Sequence, residues 1–257
     1  MYQLAAFAEQ AFAGNPAAVV PLETWIDDAL MQSIAAENNL SETAFFVPVG
    51  DSEWHIRWFT PAAEVNLCGH ATLATAAVIR SRLRHDQWPI TLNSASGPLI
   101  VDTAGQGFVL DLPTDPPHAV EIPDGLAVAL GVAVDELLAG REIYVMPMAD
   151  QGAVAALRPN FAHLAAVVDY GIVVTAPGAE VDFVSRFFAP ALGVDEDPVT
   201  GAAHCLLTPY WSARLGKEKL EARQISARGG HLICENQGER VRLQGAAVFF
   251  LDGKISV

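Results

Sequence analysis

A chain of 257 residues, 51% of them hydrophobic, is long enough for one large domain or two of about 120 residues, each with its own core. The net charge of −15 opposes binding to nucleic acid or an anionic membrane, and every apolar run is broken by proline, glycine or charge, so no segment reads as a membrane span. The N-terminus carries no charged-then-apolar leader. The 3 cysteines (Cys68, Cys205, Cys234) have the spacing of neither a disulfide framework nor a zinc site, so the expectation is a reduced, cytoplasmic protein.

Residues 2–8 read as a first strand, and Gly14-Asn15-Pro16 as a turn into a second over 17–20. Thr24 and Asp27 resemble a capping box opening a helix to about residue 36, with Ile26, Leu30 and Ile34 at helical spacing. Glu42 then stands alone at the mouth of an apolar strand. Glutamate is a poor strand former and costly to bury, so it reads in two ways. One is an exposed strand-entry residue. The other is a general base whose pKa desolvation beside Phe45 and Phe46 would raise toward working pH.

A strand over 54–59 leads to the stretch that organises the chain, Glu64-Val-Asn-Leu-Cys-Gly-His-Ala-Thr72 and the apolar residues after it. Asn66 is the expected N-cap of a helix beginning at about residue 67, with Leu73, Ala74, Ala77 and Val78 on its buried face. The free amides and positive dipole end at Cys68-Gly69-His70 suit an anion such as a substrate carboxylate. A thiol there should ionise more readily than usual, although a small buried thiol is the commoner fate.

Residues 91–98, 99–101 and 108–112 read as strands joined by turns, and Asp111-Leu-Pro-Thr-Asp-Pro-Pro-His118 as the linker between halves. The second half repeats the style of the first, with helices near 124–130 and 160–167 and strands over 142–146, 171–175 and 181–188. Arg57-Trp-Phe-Thr-Pro61 has a counterpart in Arg186-Phe-Phe-Ala-Pro190 about half a chain later, and each precedes a helix-start signal. In the second copy Asp197 is the expected N-cap and Pro198 the first helical residue, with the helix running to about residue 215 and stopping at Gly216. His204 and Cys205, one turn further in, read as core or cleft lining. Strands over 231–234, 241–243 and 247–251 close the chain, the last of them able to complete the first domain. Two halves, 1–112 (with 246–257 as a completing strand) and 118–245, are therefore expected.

Five motifs in order, Phe12-Ala-Gly-Asn-Pro-Ala-Ala-Val19, Leu40-Ser-Glu-Thr43, Arg57-Trp-Phe-Thr-Pro61, Leu67-Cys-Gly-His-Ala-Thr72 and Glu196-Asp-Pro-Val-Thr-Gly201, together resemble the PhzF-like phenazine biosynthesis family. The resemblance implies an α+β fold like that of diaminopimelate epimerase. Two similar domains, each a strand-rich, barrel-like sheet around a central helix, hold the active site in the cleft between them. It also implies a cofactor-independent isomerase that moves a proton between carbons of a small carboxylate-bearing substrate, and a homodimer. On that resemblance Glu42 is the acid/base, assisted by His70 and Asp197, while Asn15, Cys68, Gly69, Thr200, Gly201 and Ala202 bind substrate, with no metal and no cofactor. Ala202 departs from the serine of the family's phenazine isomerase, which leaves the substrate open. The two-cysteine base pair of the epimerases has a match only in Cys68, because Asp197-Pro198-Val199 offers no second thiol. A non-catalytic small-anion binder and a thiol-dependent amino-acid racemase stand as alternatives.

Overall fold

The computed structural model describes residues 1–256, which fall into two compact units. One comprises residues 1–112 and the stretch from Arg242 onward, the other Pro113–Val241.

The first unit is built from β1 (Tyr2–Ala6), β2 (Asn15–Pro21), α1 (Asp28–Asn38), β3 (Glu42–Gly50), β4 (Glu53–Phe59), β5 (Glu64–Val65), α2 (Gly69–Ser81), β6 (Ile90–Ser94), β7 (Gly97–Ala104) and β8 (Gly107–Pro113). Strands β2 and β3 run parallel across α1, β3 and β4 form an antiparallel hairpin, β4 and β6 run parallel across α2, and β6 to β8 meander. Helix α2 packs on β1, β2 and β3, and every residue from His70 to Ile79 is buried. A helix without a polar face is a core helix, and burying Leu73, Val78 and Ile79 contributes about 1.5–3 kcal/mol each.

Gly14 shows how tightly β2 enters this core. It adopts φ +68°, and a Cβ there would stand 2.3 Å from the Ala6 carbonyl oxygen, so no other residue fits. The chain turns at Gly14, and Asn15 and Pro16 already belong to the strand.

The second unit holds β9 (His118–Ala119), α3 (Leu126–Leu130), β10 (Leu138–Ala139), β11 (Ile143–Pro147), α4 (Gln151–Ala156), α5 (Phe161–Ala165), β12 (Gly171–Pro177), β13 (Phe183–Ala189), β14 (Val194–Asp197), α6 (Gly201–Leu215), β15 (Lys219–Gln224), β16 (Gly230–Asn236) and β17 (Arg240–Gly245), the last reaching the boundary. The final strand, β18 (Ala247–Asp252), returns to pair antiparallel with β1. The order of the first unit recurs. Strands β11 and β12 run parallel across α4 and α5, β12 and β13 form a hairpin, and β13 and β15 run parallel across α6. The linker after β8 is docked, with the Asp115 amide donating to the Cys205 carbonyl of α6. Pro209, four residues further along that helix, has no N–H to offer this carbonyl, and the linker satisfies it instead.

Among the described residues no helix is long and apolar enough to cross a membrane, and all three cysteines are free and buried.

Candidate active site

Glu42 is the first residue of β3, three residues after the left-handed Asn39 that ends α1. Its side chain is 18% exposed, and its Oε2 is enclosed, 3.1 Å from the Nε2 of His70. The contact is close without the alignment of a hydrogen bond, so this oxygen has capacity left for another partner.

His70 is buried in the first turn of α2, with its other ring nitrogen, Nδ1, 3.2 Å from Nδ2 of the fully buried Asn15. Ser41 donates from Oγ to Asn15 Oδ1 at 3.2 Å. Because the amide nitrogen is a donor, Nδ1 accepts whenever the ring is neutral, and the neutral form then carries its proton on Nε2, facing Glu42. Burial alone would push the imidazole pKa down. The Glu42 carboxylate beside Nε2 opposes that by favouring the charged ring, and the pKa is held above its ordinary value.

The Cys68 sulfur lies 3.5 Å from His70 Nδ1 and 4.0 Å from Nε2. Burial, with the charge of Glu42 adding to it, pushes this thiol up to about 11, contrary to the expectation drawn from its helix-terminal position. Desolvation wins because the sulfur is fully enclosed, and the charge of Glu42 outweighs the opposing pull of His70.

The start of α2 also differs from expectation. Cys68, not Asn66, occupies the N-cap position, the helix begins at Gly69, and no oxygen or nitrogen side chain caps it. The backbone carbonyl of Asn66 accepts from Ser96 Oγ at 2.9 Å. An uncapped first turn leaves backbone donors and a positive dipole end for an anion.

In the second unit Asp197 ends β14 and lies outside α6; the N-cap is Thr200 and Pro198 precedes the helix. Thr200 Oγ1 donates to Asp197 Oδ2 at 2.5 Å. The organiser of this turn is Gln224, fully buried at the end of β15. Its Nε2 donates to the Asp197 carbonyl at 2.8 Å and approaches Thr200 Oγ1 at 3.2 Å, while its Oε1 accepts from the Thr200 amide at 2.9 Å. Those bonds hold the chain extended to Thr200, so the helix starts three residues later than the aspartate signalled. Gly201 is buried and Ala202 exposed at its first turn. His204 and Cys205 are core: His204 Nδ1 donates to the Thr200 carbonyl at 2.8 Å, burial drops its pKa to about 4, and burial pushes Cys205 up to about 12.

The repeated arginines share one structural task. Arg57 makes a bidentate pair with Glu64 on β5 (2.7 and 2.7 Å) and Arg186 one with Glu196 on β14 (2.7 and 2.9 Å). Each guanidinium also lies over the phenylalanine two residues on, Phe59 at 5.2 Å and Phe188 at 4.9 Å. Each ties a core strand to the short strand that delivers its helix N-terminus. Sequence reasoning missed Ser41, Gln224 and the two glutamate partners. A signal for Gln224 was present, because in Lys219-Leu-Glu-Ala-Arg-Gln224 the alternation places it on the same face as Leu220 and Ala222.

The family model described as phenazine biosynthesis-like protein (PhzC-PhzF) matches residues 4–253. An uncharacterized isomerase of Pseudomonas aeruginosa is 47% identical over 255 residues, covering 99% of this chain and 98% of the relative. The human phenazine biosynthesis-like domain-containing protein is 38% identical over 278 residues, covering 98% and 96%. Among solved structures, a PhzF family protein of Enterococcus faecalis superposes with a TM-score of 0.95 at 45% identity, covering 100% of this chain and 98% of that one. A probable proline racemase from Agrobacterium radiobacter shares the fold at a TM-score of 0.67 and 12% identity, over 100% and 92% of the two chains. With a family match over nearly its whole length and an epimerase-type fold in common with these neighbours, the chain belongs to the PhzF phenazine biosynthesis-like family of isomerases.

Proposed function

We propose that the protein is a cofactor-independent isomerase of a small carboxylate-bearing carbon acid, with Glu42 as the group that takes a proton from one carbon and returns it to another. The observation that carries this is the enclosed Glu42 oxygen 3.1 Å from His70 Nε2, beside the uncapped start of α2. Removing a proton from carbon needs a positioned base and stabilisation of the carbanion that develops. In this reading Glu42 is the base and His70 holds its carboxylate in place and offers a proton through Nε2. The amides at Gly69 and His70 take the substrate carboxylate. Carboxylate binding alone lowers KM; kcat rises only where the donors hold the delocalised transition state more tightly than the ground state.

Asp197, Thr200, Gly201 and Ala202 stand at the second helix start; they are proposed as substrate-binding residues, with Asp197 assisting the proton transfer, on the family resemblance. Asn15 belongs to the same proposal as the residue that fixes the His70 tautomer. Three titratable or amide groups held together by buried contacts favour chemistry over simple anion binding. A homodimer is part of the proposal and is checked by sedimentation equilibrium.

The deciding experiment incubates the native protein and Glu42→Gln in D2O with a panel of carboxylated carbon acids that includes dihydro-hydroxyanthranilate, following isomer formation and deuterium uptake by NMR and mass spectrometry. Conversion by the native protein and loss of at least about 100-fold in Glu42→Gln, with binding retained, is the expected result. Equal binding by both proteins and no conversion of any bound compound would move the assignment to an anion-binding protein.

A further inference from the structure

The proton-moving reading uses Glu42 and His70, and the structure brings a third group of different chemistry to them. One ligand atom each from Glu42, Cys68 and His70 lies within 4.8 Å of the other two. Within that set Glu42 Oε2 is 3.1 Å and the Cys68 sulfur 4.0 Å from His70 Nε2. Carboxylate, thiolate and imidazole form a donor set for zinc and comparably soft divalent ions. Around a tetrahedral ion with bonds of about 2.0–2.3 Å, neighbouring ligand atoms stand about 3.2–3.7 Å apart, so the three groups need shift inward by only about 1 Å or less.

The carboxylate points to a ligand independently of this spacing: Glu42 Oε2 is an enclosed polar atom with no aligned hydrogen-bond partner. Occupancy is chemically balanced. Nε2 must present its lone pair to the ion, so the neutral ring shifts its proton to Nδ1. The Asn15 amide then turns over to accept it through Oδ1, and its NH2 meets Ser41 Oγ, a hydroxyl that both donates and accepts. The Cys68 thiol loses its proton to solvent as the sulfur–metal bond forms.

We propose that Glu42, Cys68 and His70 form a three-ligand site for zinc or a comparably soft divalent cation, with the fourth position left to water, and that occupancy switches off proton transfer. The inhibitory half rests on the reading of Glu42 as the acid/base; ion binding does not. A cation there occupies the Glu42 oxygen and the His70 nitrogen that face one another in its absence. The residues thus offer two exclusive uses, proton transfer or metal capture.

The test titrates metal-free native protein with Co2+ alone under nitrogen and follows the absorption spectrum, then displaces the cobalt with Zn2+. One ion per chain, a thiolate-to-cobalt charge-transfer band and intense visible bands of a tetrahedral centre are expected. Cys68→Ser should abolish the charge-transfer band, and Glu42→Gln should keep it while weakening affinity at least about tenfold. Circular dichroism establishes that each variant is folded. Cys205→Ser and Cys234→Ser, each changing a cysteine outside the cluster, should leave the band as in the native protein. Absence of the band at millimolar Co2+, or its persistence in Cys68→Ser, overturns the site. With a compound that the native protein converts, Zn2+ should stop conversion in proportion to occupancy, and undiminished conversion at full occupancy overturns the inhibitory half. A site that binds cobalt in a protein whose conversion survives Glu42→Gln would sink the catalytic reading and leave the metal site standing. A Glu42-dependent conversion with no cobalt band would do the reverse.

Discussion

The amide nitrogen of Asn15 stands 3.2 Å from Nδ1 of His70, and it is this contact that turns the Nε2 proton toward Glu42. Replacing Asn15 by Leu keeps the approximate volume and removes the donor, so the ring loses its reason to prefer one tautomer. A fall in kcat of about 10- to 100-fold with a smaller change in KM is expected. Above the raised pKa of His70, where the ring is neutral, long-range 15N–1H spectra should show mixed tautomers in the variant and a single one in the native protein. A single unchanged tautomer would remove Asn15 from this role.

Gln224 should prove equally important to the second helix start. Gln224→Leu leaves the Thr200 amide and the Asp197 carbonyl without their side-chain partner, which costs about 2–3 kcal/mol. Gln224→Glu can still accept from Thr200 but cannot donate to Asp197, so it should rescue only part of the loss. Urea denaturation compares the three proteins, and equal stability of Gln224→Leu and native protein would contradict the assignment.

The two arginine clamps differ in burial, and their removal should differ accordingly. Arg186 is 9% and Glu196 20% exposed at the side chain, against 25% and 39% for Arg57 and Glu64. Arg186→Met strands a desolvated Glu196 and the carbonyls of Val154 and Leu157 that Arg186 also serves. That change is expected to cost about 3–5 kcal/mol, and Arg57→Met about 1 kcal/mol. Chemical denaturation reads both, and the ranking is the point at issue.

Acid should destabilise the protein through His204. Its folded pKa is lowered to about 4 by burial, so the neutral form contributes stability that is complete above the unfolded value of about 6.5 and is lost as pH falls toward 4. One pH unit below the unfolded value, proton uptake by the unfolded chain costs about 1.4 kcal/mol. Comparing native protein and His204→Phe in urea at both ends of that window should show a smaller loss for the variant. Identical pH dependence would exclude His204 as the source.

Much of this site was legible as residue identity. Glu42 stood out because a carboxylate at the head of an apolar strand is anomalous, and Cys68-Gly69-His70 because a helix signal surrounded two reactive groups. The capping rules placed Asn66 and Asp197 as N-caps, yet both helices begin two to three residues later, at Gly69 and Gly201. Ahead of α6 local propensity lost to distant hydrogen bonds, from Gln224 to the Asp197 turn. Nothing in the local sequence of Asn15 or Gln224 announces a partner 55 or 24 residues away.

By itself the sequence determined the longer helices and most of the longer strands, the repeated arginine motif and the chemistry available, because periodicity, turn residues and side-chain type are local properties. The strand over Lys219–Gln224 and the short strands ahead of both central helices went unread. Only the tertiary structure decided the state of that chemistry. Burial made Cys68 a protonated thiol despite its helix-terminal position, and the order Ser41, Asn15, His70, Glu42 set which nitrogen carries the proton. Desolvation and hydrogen-bond direction depend on what the fold brings near each group, and that is a long-range property of the whole chain.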